Sequence, residues 1–367
     1  MKIQILRETL LTPLGQLTGV IEKRQTQAVL GNILMQGADQ QLELTATDGE
    51  LELKVGLHPE ILLPGKTTVP ARKLLDIVRL MPEGSLIQIE ALGERCQVKS
   101  GGSRFHLATL PAESFPAFDP GEVELRFTLA AKALKTAVEK TAFAIAQQDI
   151  RPYLKGLLID VEGQVLRTVA SDGHRLAVYQ ETLTEAPGVD AQFIVPRKAV
   201  SELLRLFAEE ADTVTMERAA TAMSVHLGSL RFSSKLIEGR YPDFRRVFPE
   251  TLTTELSLGR DALRGALSRV GLMTSEKQKS ISLETESGGT LLLSGRSADS
   301  DEAEERLPAH WEGAPVQVGF NAAYLNEAIA GVSGPELRLS FSEGGHSSLV
   351  EDPDDPRYRC VVMPMRV

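Results

Sequence analysis

The string Ser171-Asp172-Gly173-His174-Arg175 places a hydroxyl, a carboxylate and an imidazole within four residues, the groups of a nucleophilic triad. Two features count against that chemistry. Adjacent side chains on an extended segment point to opposite faces and converge poorly. The Asp-Gly pair also recurs in Thr47-Asp48-Gly49-Glu50, again between two strand-like runs, which marks a tight turn. A binding role for His174 and Arg175 stays open beside the turn. Gly65-Lys66-Thr67 carries the ending of a phosphate-binding loop, but Glu60 stands where the leading glycine belongs and Thr67-Thr68-Val69 continues as a strand rather than a helix. His58, His106, His174, His226, His310 and His346 show no paired metal spacing, and Cys96 and Cys360 lack neighbouring ligands. The acidic run from Asp299 to Glu305 lacks the alternating ligands and glycine of a calcium loop and reads as a solvated face or one side of a charged interface. No metal, cofactor or disulfide is expected.

The elements that position these residues come from a repeat. At 367 residues the chain exceeds one ordinary core, and 42% hydrophobic with 25% charged residues describes a folded, soluble protein. Three segments pair an alternating strand with a helix-period run: Ile3 to Val20, Leu125 to Ala146 and Glu255 to Met273. Apolar residues recur at steps of three and four within them, as in Leu10, Leu14 and Leu17, or Leu263, Leu267 and Val270. A second strand-to-helix junction repeats at Val69-Pro70, Val195-Pro196 and Gly319-Phe320, and a third marker at Arg104-Phe105, Arg231-Phe232 and Arg357-Tyr358. The spacing is the size of a domain, so the chain reads as three tandem α+β modules over residues 1–122, 123–250 and 251–367, each with two helices and about seven or eight strands.

The net charge of −10 argues against bulk electrostatic attachment to nucleic acid, yet it is unevenly placed. The six helical segments carry a net +7 and the remainder −17. Helices lining one surface would make it basic, suited to phosphates and without any base-reading element. Apolar runs stay well short of 18 residues and no cleavable leader precedes the first strand, so a cytoplasmic protein without membrane contact is expected.

With these features in place, the chain closely resembles the bacterial DNA polymerase III beta subunit, the sliding clamp. The resemblance spans the whole chain and is carried by Val69-Pro70-Ala71-Arg72-Lys73, by Thr168 through Leu176, by Gly239-Arg240-Tyr241-Pro242-Asp243-Phe244-Arg245-Arg246-Val247, and by Val361-Val362-Met363-Pro364-Met365-Arg366. It implies half of a ring, completed by a head-to-tail homodimer, with helices inward around duplex DNA. It implies a partner-peptide cleft of Leu154, Gly173, His174, Arg175, Leu176, Pro242, Arg246, Val247, Asn321, Tyr324, Val361, Met363, Pro364 and Met365, whose Leu, Val, Met and Pro side chains suit apolar anchors. For DNA it implies Arg24, Arg72, Gln148, Tyr153, Arg197 and Lys198. For the subunit interface it implies Lys73, Arg95, Arg104 and Phe105 against Leu272, Met273, Glu302, Glu304 and Glu305. Gln278 and Pro152 depart from the family pattern, where aromatic side chains are expected. The implied partners are a second copy, duplex DNA, a clamp loader, and replicative or translesion polymerases and repair proteins with clamp-binding motifs. Two other readings compete with this non-catalytic role: a multivalent peptide adaptor that never touches DNA, and an enzyme built on Asp172, His174 and Arg175.

Overall fold

A computed structural model of the protein describes residues 1–24, 26–207, 212–274, 280–297, 301–343 and 346–365. Among the described residues there are six α-helices: α1 (Arg7–Val20), α2 (Ala71–Leu80), α3 (Ala131–Ala142), α4 (Arg197–Leu206), α5 (Arg260–Val270) and α6 (Ala322–Ala330). The helical periodicity does what it should. Leu10, Leu14 and Leu17 of α1, and Leu263, Leu267 and Val270 of α5, are all buried. Each fully buried leucine contributes about 1.5–3 kcal/mol, and truncating one such as Leu14 to Ala costs about 2–5 kcal/mol. The second helix of each repeat follows a strand without interruption, at Pro70, Pro196 and Asn321. The third junction thus falls one residue later than the sequence pattern suggests, because Asn321 caps α6 by accepting the N–H groups of Ala323 and Tyr324.

Among the described residues the middle repeat holds eight strands between Val123 and Lys235, as expected, while the outer repeats hold one more, nine before Gly121 and nine from Thr254 onward. Four strands separate the two helices in the middle repeat. The outer repeats add the short strands Glu60–Leu63 and His310–Gly313, which pair beside Lys2–Leu6 and Thr254–Gly259. Four residues are too few to display alternation.

The chain packs as two units, Met1–Leu134 with Lys198–Leu236, and Lys135–Arg197 with Ile237–Val367. The first holds a five-stranded sheet ending in Ser103–Ala108 and an eight-stranded sheet, with α1 against α2. The second holds a nine-stranded sheet and a four-stranded sheet ending in Glu302–Pro308, with α5 against α6. Each large sheet is built across a repeat junction. In the first unit Leu230–Lys235 pairs antiparallel with Leu51–Leu57, and in the second Asp355–Val362 pairs antiparallel with Arg175–Thr182. In both junctions the last strand of one repeat meets the strand that follows the Asp-Gly turn, or its equivalent, in the repeat before it. Two mates of these strands remain at sheet edges, Ser103–Ala108 and Glu302–Pro308.

Helix ends consume part of the basic charge. Arg7 of α1 donates to the carbonyls of Val78 (3.2 Å) and Arg79 (3.1 Å) at the end of α2. Arg260 of α5 does the same to Val332 (3.1 Å) and Ser333 (3.0 Å) beyond α6, where Lys140 also donates to the Gly331 carbonyl. Arg72 donates to Ile21 (3.2 Å) and Arg205 to Gln16 (2.6 Å) at the end of α1. Carbonyls left over in a last helical turn carry partial negative charge, and cations satisfy them. A share of the +7 therefore serves the fold.

Candidate functional site

Ser171-Asp172-Gly173 is a turn whose polar groups are turned inward on its own backbone. The Ser171 hydroxyl donates to the Arg175 carbonyl (2.8 Å) and accepts the Gly173 N–H (3.1 Å). One carboxylate oxygen of Asp172 accepts the N–H groups of His174 (2.9 Å) and Arg175 (3.0 Å). Gly173 takes a φ of 86°, a conformation side chains rarely adopt. The nucleophile and carboxylate of the supposed triad are thus spent on the turn, and the His174 ring lies instead against Tyr324, with centroids 5.9 Å apart and planes at 25°. Thr47-Asp48-Gly49 repeats the device: the Thr47 hydroxyl donates to the Leu51 carbonyl (2.6 Å), and Asp48 accepts from Glu50 (2.8 Å) and Leu51 (2.7 Å).

Arg175 is the hub of the second unit's candidate site. Its side chain is 7% exposed, pairs with Asp172 (3.2 Å) and Glu327, and donates to the Phe143 carbonyl (2.9 Å). Its guanidinium lies 4.5 Å from the Tyr324 ring centroid and 5.1 Å from that of Phe143. A desolvated guanidinium over an aromatic face gains about 0.5–2 kcal/mol, and removing the partner of a buried charge costs about 3–5 kcal/mol. The result is a fixed wall: Arg175 holds Tyr324, and Tyr324 supports the exposed His174. Phe143 and Glu327 were absent from the residues inferred by resemblance. Glu327 lies three positions after Tyr324 on α6, a spacing that places both on one helical face.

The floor beside this wall is apolar. Leu154, Leu176, Tyr241 and Phe244 are buried in one cluster with Leu158, Val169 and Val178, and Val247 packs against it. Leu176 pairs in register with Val361, which is fully buried, so these two serve the core as well as the floor. The chain end is pinned along the rim: the Met363 N–H donates to the His174 carbonyl (2.7 Å) and the Met365 N–H to that of Gly319 (2.8 Å). Both methionine side chains stay 40% exposed, and Pro242 and Arg246 are exposed opposite the buried Tyr241 and Phe244. The arrangement brings together apolar side chains, flexible thioethers and an aromatic wall, the chemistry that a groove for a short linear segment needs. The equivalent place in the first unit is not a groove of this kind. There the Lys235 N–H donates to the Glu50 carbonyl (2.9 Å), but Glu52 pairs with Ser233 where the second unit pairs Leu176 with Val361. Gln278 lies outside the described residues, and Pro152 opens a short 3-10 turn, Pro152–Lys155.

Of the residues assigned to DNA by resemblance, Arg24, Arg72 and Lys198 belong to the first unit and Gln148, Tyr153 and Arg197 to the second. Arg24, Arg72, Gln148 and Arg197 are exposed. Tyr153 packs edge-on against Tyr241 (6.1 Å), and Lys198 is held by Glu22 and Asp48. Of the residues assigned to an interface, Lys73, Arg95 and Arg104 are exposed and Phe105 half-buried, all in the first unit. In the second, Leu272 is 76% and Met273 37% exposed. The carboxylates there already have partners within the chain: Glu302 with Arg296 (3.1 Å), Glu304 with Arg306 (3.4 Å) and Glu305 with Arg269 (2.5 Å). The Arg269 guanidinium holds the Glu305 carboxyl below its ordinary value. Gly65-Lys66-Thr67 lies in strand Gly65–Pro70, with Lys66 paired to Glu113 at 2.9 Å.

Comparison with known proteins agrees along the whole length. Family models for the N-terminal, central and C-terminal domains of the DNA polymerase III beta subunit match residues 1–119, 128–243 and 245–366. The chain is 40% identical over 370 residues to the beta sliding clamp of Escherichia coli K12 and 39% identical over 369 residues to that of Vibrio cholerae, with full coverage of both partners in each case. Its fold is similar to a crystal structure of the sliding clamp of Pseudomonas aeruginosa bound to griselimycin, at a TM-score of 0.96 and 39% identity over all of both chains. The chain belongs to the DNA polymerase III beta subunit family, the bacterial beta sliding clamps that serve as DNA polymerase processivity factors.

Proposed function

We propose that two copies of this protein close head to tail into a ring around duplex DNA, without catalysis, and hold polymerases there through the cleft at His174 and Tyr324. The observation that carries this reading is the pattern of strand junctions. Two of three possible junctions form within one chain, and the strands left over, Ser103–Ala108 and Glu302–Pro308, are the pair that the same rule would join between copies. A second copy offers the reverse pair, so the contact repeats once and closes. Lys73, Arg95, Arg104 and Phe105 would face Leu272, Met273 and the acidic strand, with apolar contact supplying more of the affinity than carboxylates that are already paired. Because a ring retains DNA by topology, contacts from Arg24, Arg72, Gln148, Tyr153 and Arg197 need only be weak and indifferent to sequence.

The domain boundaries of this reading are residues 1–122, 123–250 and 251–367, and the compartment is the cytoplasm, where a clamp loader and polymerases with linear clamp-binding segments would be its partners. Among the described residues no helix is long and apolar enough to cross a membrane. The test is primer extension on a circular template by a bacterial polymerase III core with its clamp loader. The protein should lengthen the products of single binding events, and a variant lacking residues 363–367 should form the dimer but not lengthen them. Product lengths unaffected by the intact protein would reject the reading.

A further inference from the structure

Lys198, one of the cations that the family resemblance assigns to DNA, is not presented to solvent as a free charge. It lies in the first turn of α4, and its ammonium is held between the carboxylates of Asp48 and Glu22. The Asp48 side chain is only 8% exposed and is itself fixed, because its other oxygen accepts the N–H groups of Glu50 and Leu51 in the repeat turn. Asp48 therefore has one oxygen for the fold and one for Lys198, as Asp172 has one for its turn and one for Arg175. Burial works against the lysine's charge, and the two carboxylates more than offset it, so the ammonium stays protonated and paired. Beside this triad a cavity is lined by Glu22, Arg24, Thr26, Leu30, Asp48 and Glu50. Three carboxylates thus accompany two cations, Arg24 and Lys198, in a place where phosphate binding alone would call for positive charge.

We propose that Asp48, seconded by Glu22, is a positioning residue that withholds Lys198 from DNA: the carboxylates occupy the ammonium as a phosphate would, and keep the first unit's hold on the backbone weak enough for sliding. The inference rests on the DNA-encircling reading and deepens it. A phosphate that captured Lys198 would have to displace a fixed, mostly buried carboxylate, so little of its charge reaches the duplex. Neutralising Asp48 while keeping its shape should release the lysine. One additional phosphate contact steepens the slope of log affinity against log salt by about 0.9, which amounts to roughly 3-fold more affinity lost between 50 and 200 mM salt.

The experiment is a salt series of binding to a fluorescent primed duplex for the intact protein and for Asp48→Asn, Glu22→Gln and Lys198→Ala, with the thermal midpoint of each recorded. Asp48→Asn keeps an oxygen for the turn, and Glu22→Gln leaves the turn untouched, so one tests the lock if the other fails to fold. Both should bind more tightly at low salt with a steeper slope, whereas Lys198→Ala should leave the slope nearly unchanged. The combined Asp48→Asn, Lys198→Ala variant should return to the original slope, which a merely structural role for Asp48 would not produce. An unchanged slope in both carboxylate variants, together with a shallower slope in Lys198→Ala, would overturn the lock while leaving the clamp reading intact. Failure of the intact protein to be retained on nicked circular duplex after loading would overturn the clamp reading, and the lock with it.

Discussion

Replacing Leu272 with Ala should dissociate the proposed head-to-tail dimer more effectively than removing any carboxylate of the acidic strand. Leu272 sits in a short turn after α5 with 76% of its surface exposed, next to Met273. Full burial of a leucine contributes about 1.5–3 kcal/mol, so covering the exposed three quarters contributes about 1–2 kcal/mol at one interface. A head-to-tail dimer has two interfaces, which doubles the effect to about 2–4 kcal/mol, roughly 30- to 700-fold in the dimer dissociation constant. Glu302 is a fair contrast. Its partner Arg296 lies in the same chain at 3.1 Å, both side chains are more than 60% exposed, and an exposed pair contributes about 0–1 kcal/mol. Sedimentation velocity over a dilution series, extended by fluorescence detection to nanomolar concentrations, measures both. The reasoning is refuted if Leu272→Ala leaves the constant within about threefold while Glu302→Ala or Glu305→Ala separates the subunits.

Tyr324→Ala should weaken binding of a clamp-binding peptide by roughly 5-fold or more, the worth of the more than about 1 kcal/mol that a central aromatic side chain contributes at an interface, while Tyr324→Phe should bind nearly as the parent in calorimetric titration. Burial lifts the Glu52 carboxyl above its ordinary value of 4.5 despite Lys54 and Arg231, so the charged form costs the fold stability as pH rises through that raised value. Glu52→Gln should therefore raise the thermal midpoint at pH 7, with the gain shrinking to nothing below pH 4.5. Cys96 and Cys360 are buried and their thiols pushed up to about 12, so iodoacetamide should label neither in the native protein and both after denaturation.

What the sequence disclosed was whatever repeats or alternates. The three helix-pair registers, the Asp-Gly turns and the strand that runs on from Lys66 are legible because each rests on local spacing. The short strands Glu60–Leu63 and His310–Gly313 are not, since they exist only by pairing beside the first strand of their repeat. The residues proposed for the cleft come mainly from resemblance. His174 and Arg175 looked like chemistry, but only the fold shows Arg175 gripping Glu327 across 152 residues and His174 resting on Tyr324 across 150. The positive charge of the helices has more than one use: five helix cations serve the ends of other helices, and Lys198 pairs with two carboxylates that are remote in sequence. Net charge along a chain does not reveal which cations are already spoken for.

A ring that holds DNA by topology alone must lose it when the DNA gains an end. Labelled protein is loaded by a bacterial clamp loader and ATP onto nicked circular duplex, separated from free protein by gel filtration, and the circle is then cut once with a restriction enzyme. The protein should co-elute with the circle at salt high enough to abolish binding to short duplex, and leave within minutes of linearisation. Protein that stays on the linear DNA at that salt, or never remains with the circle, contradicts the ring.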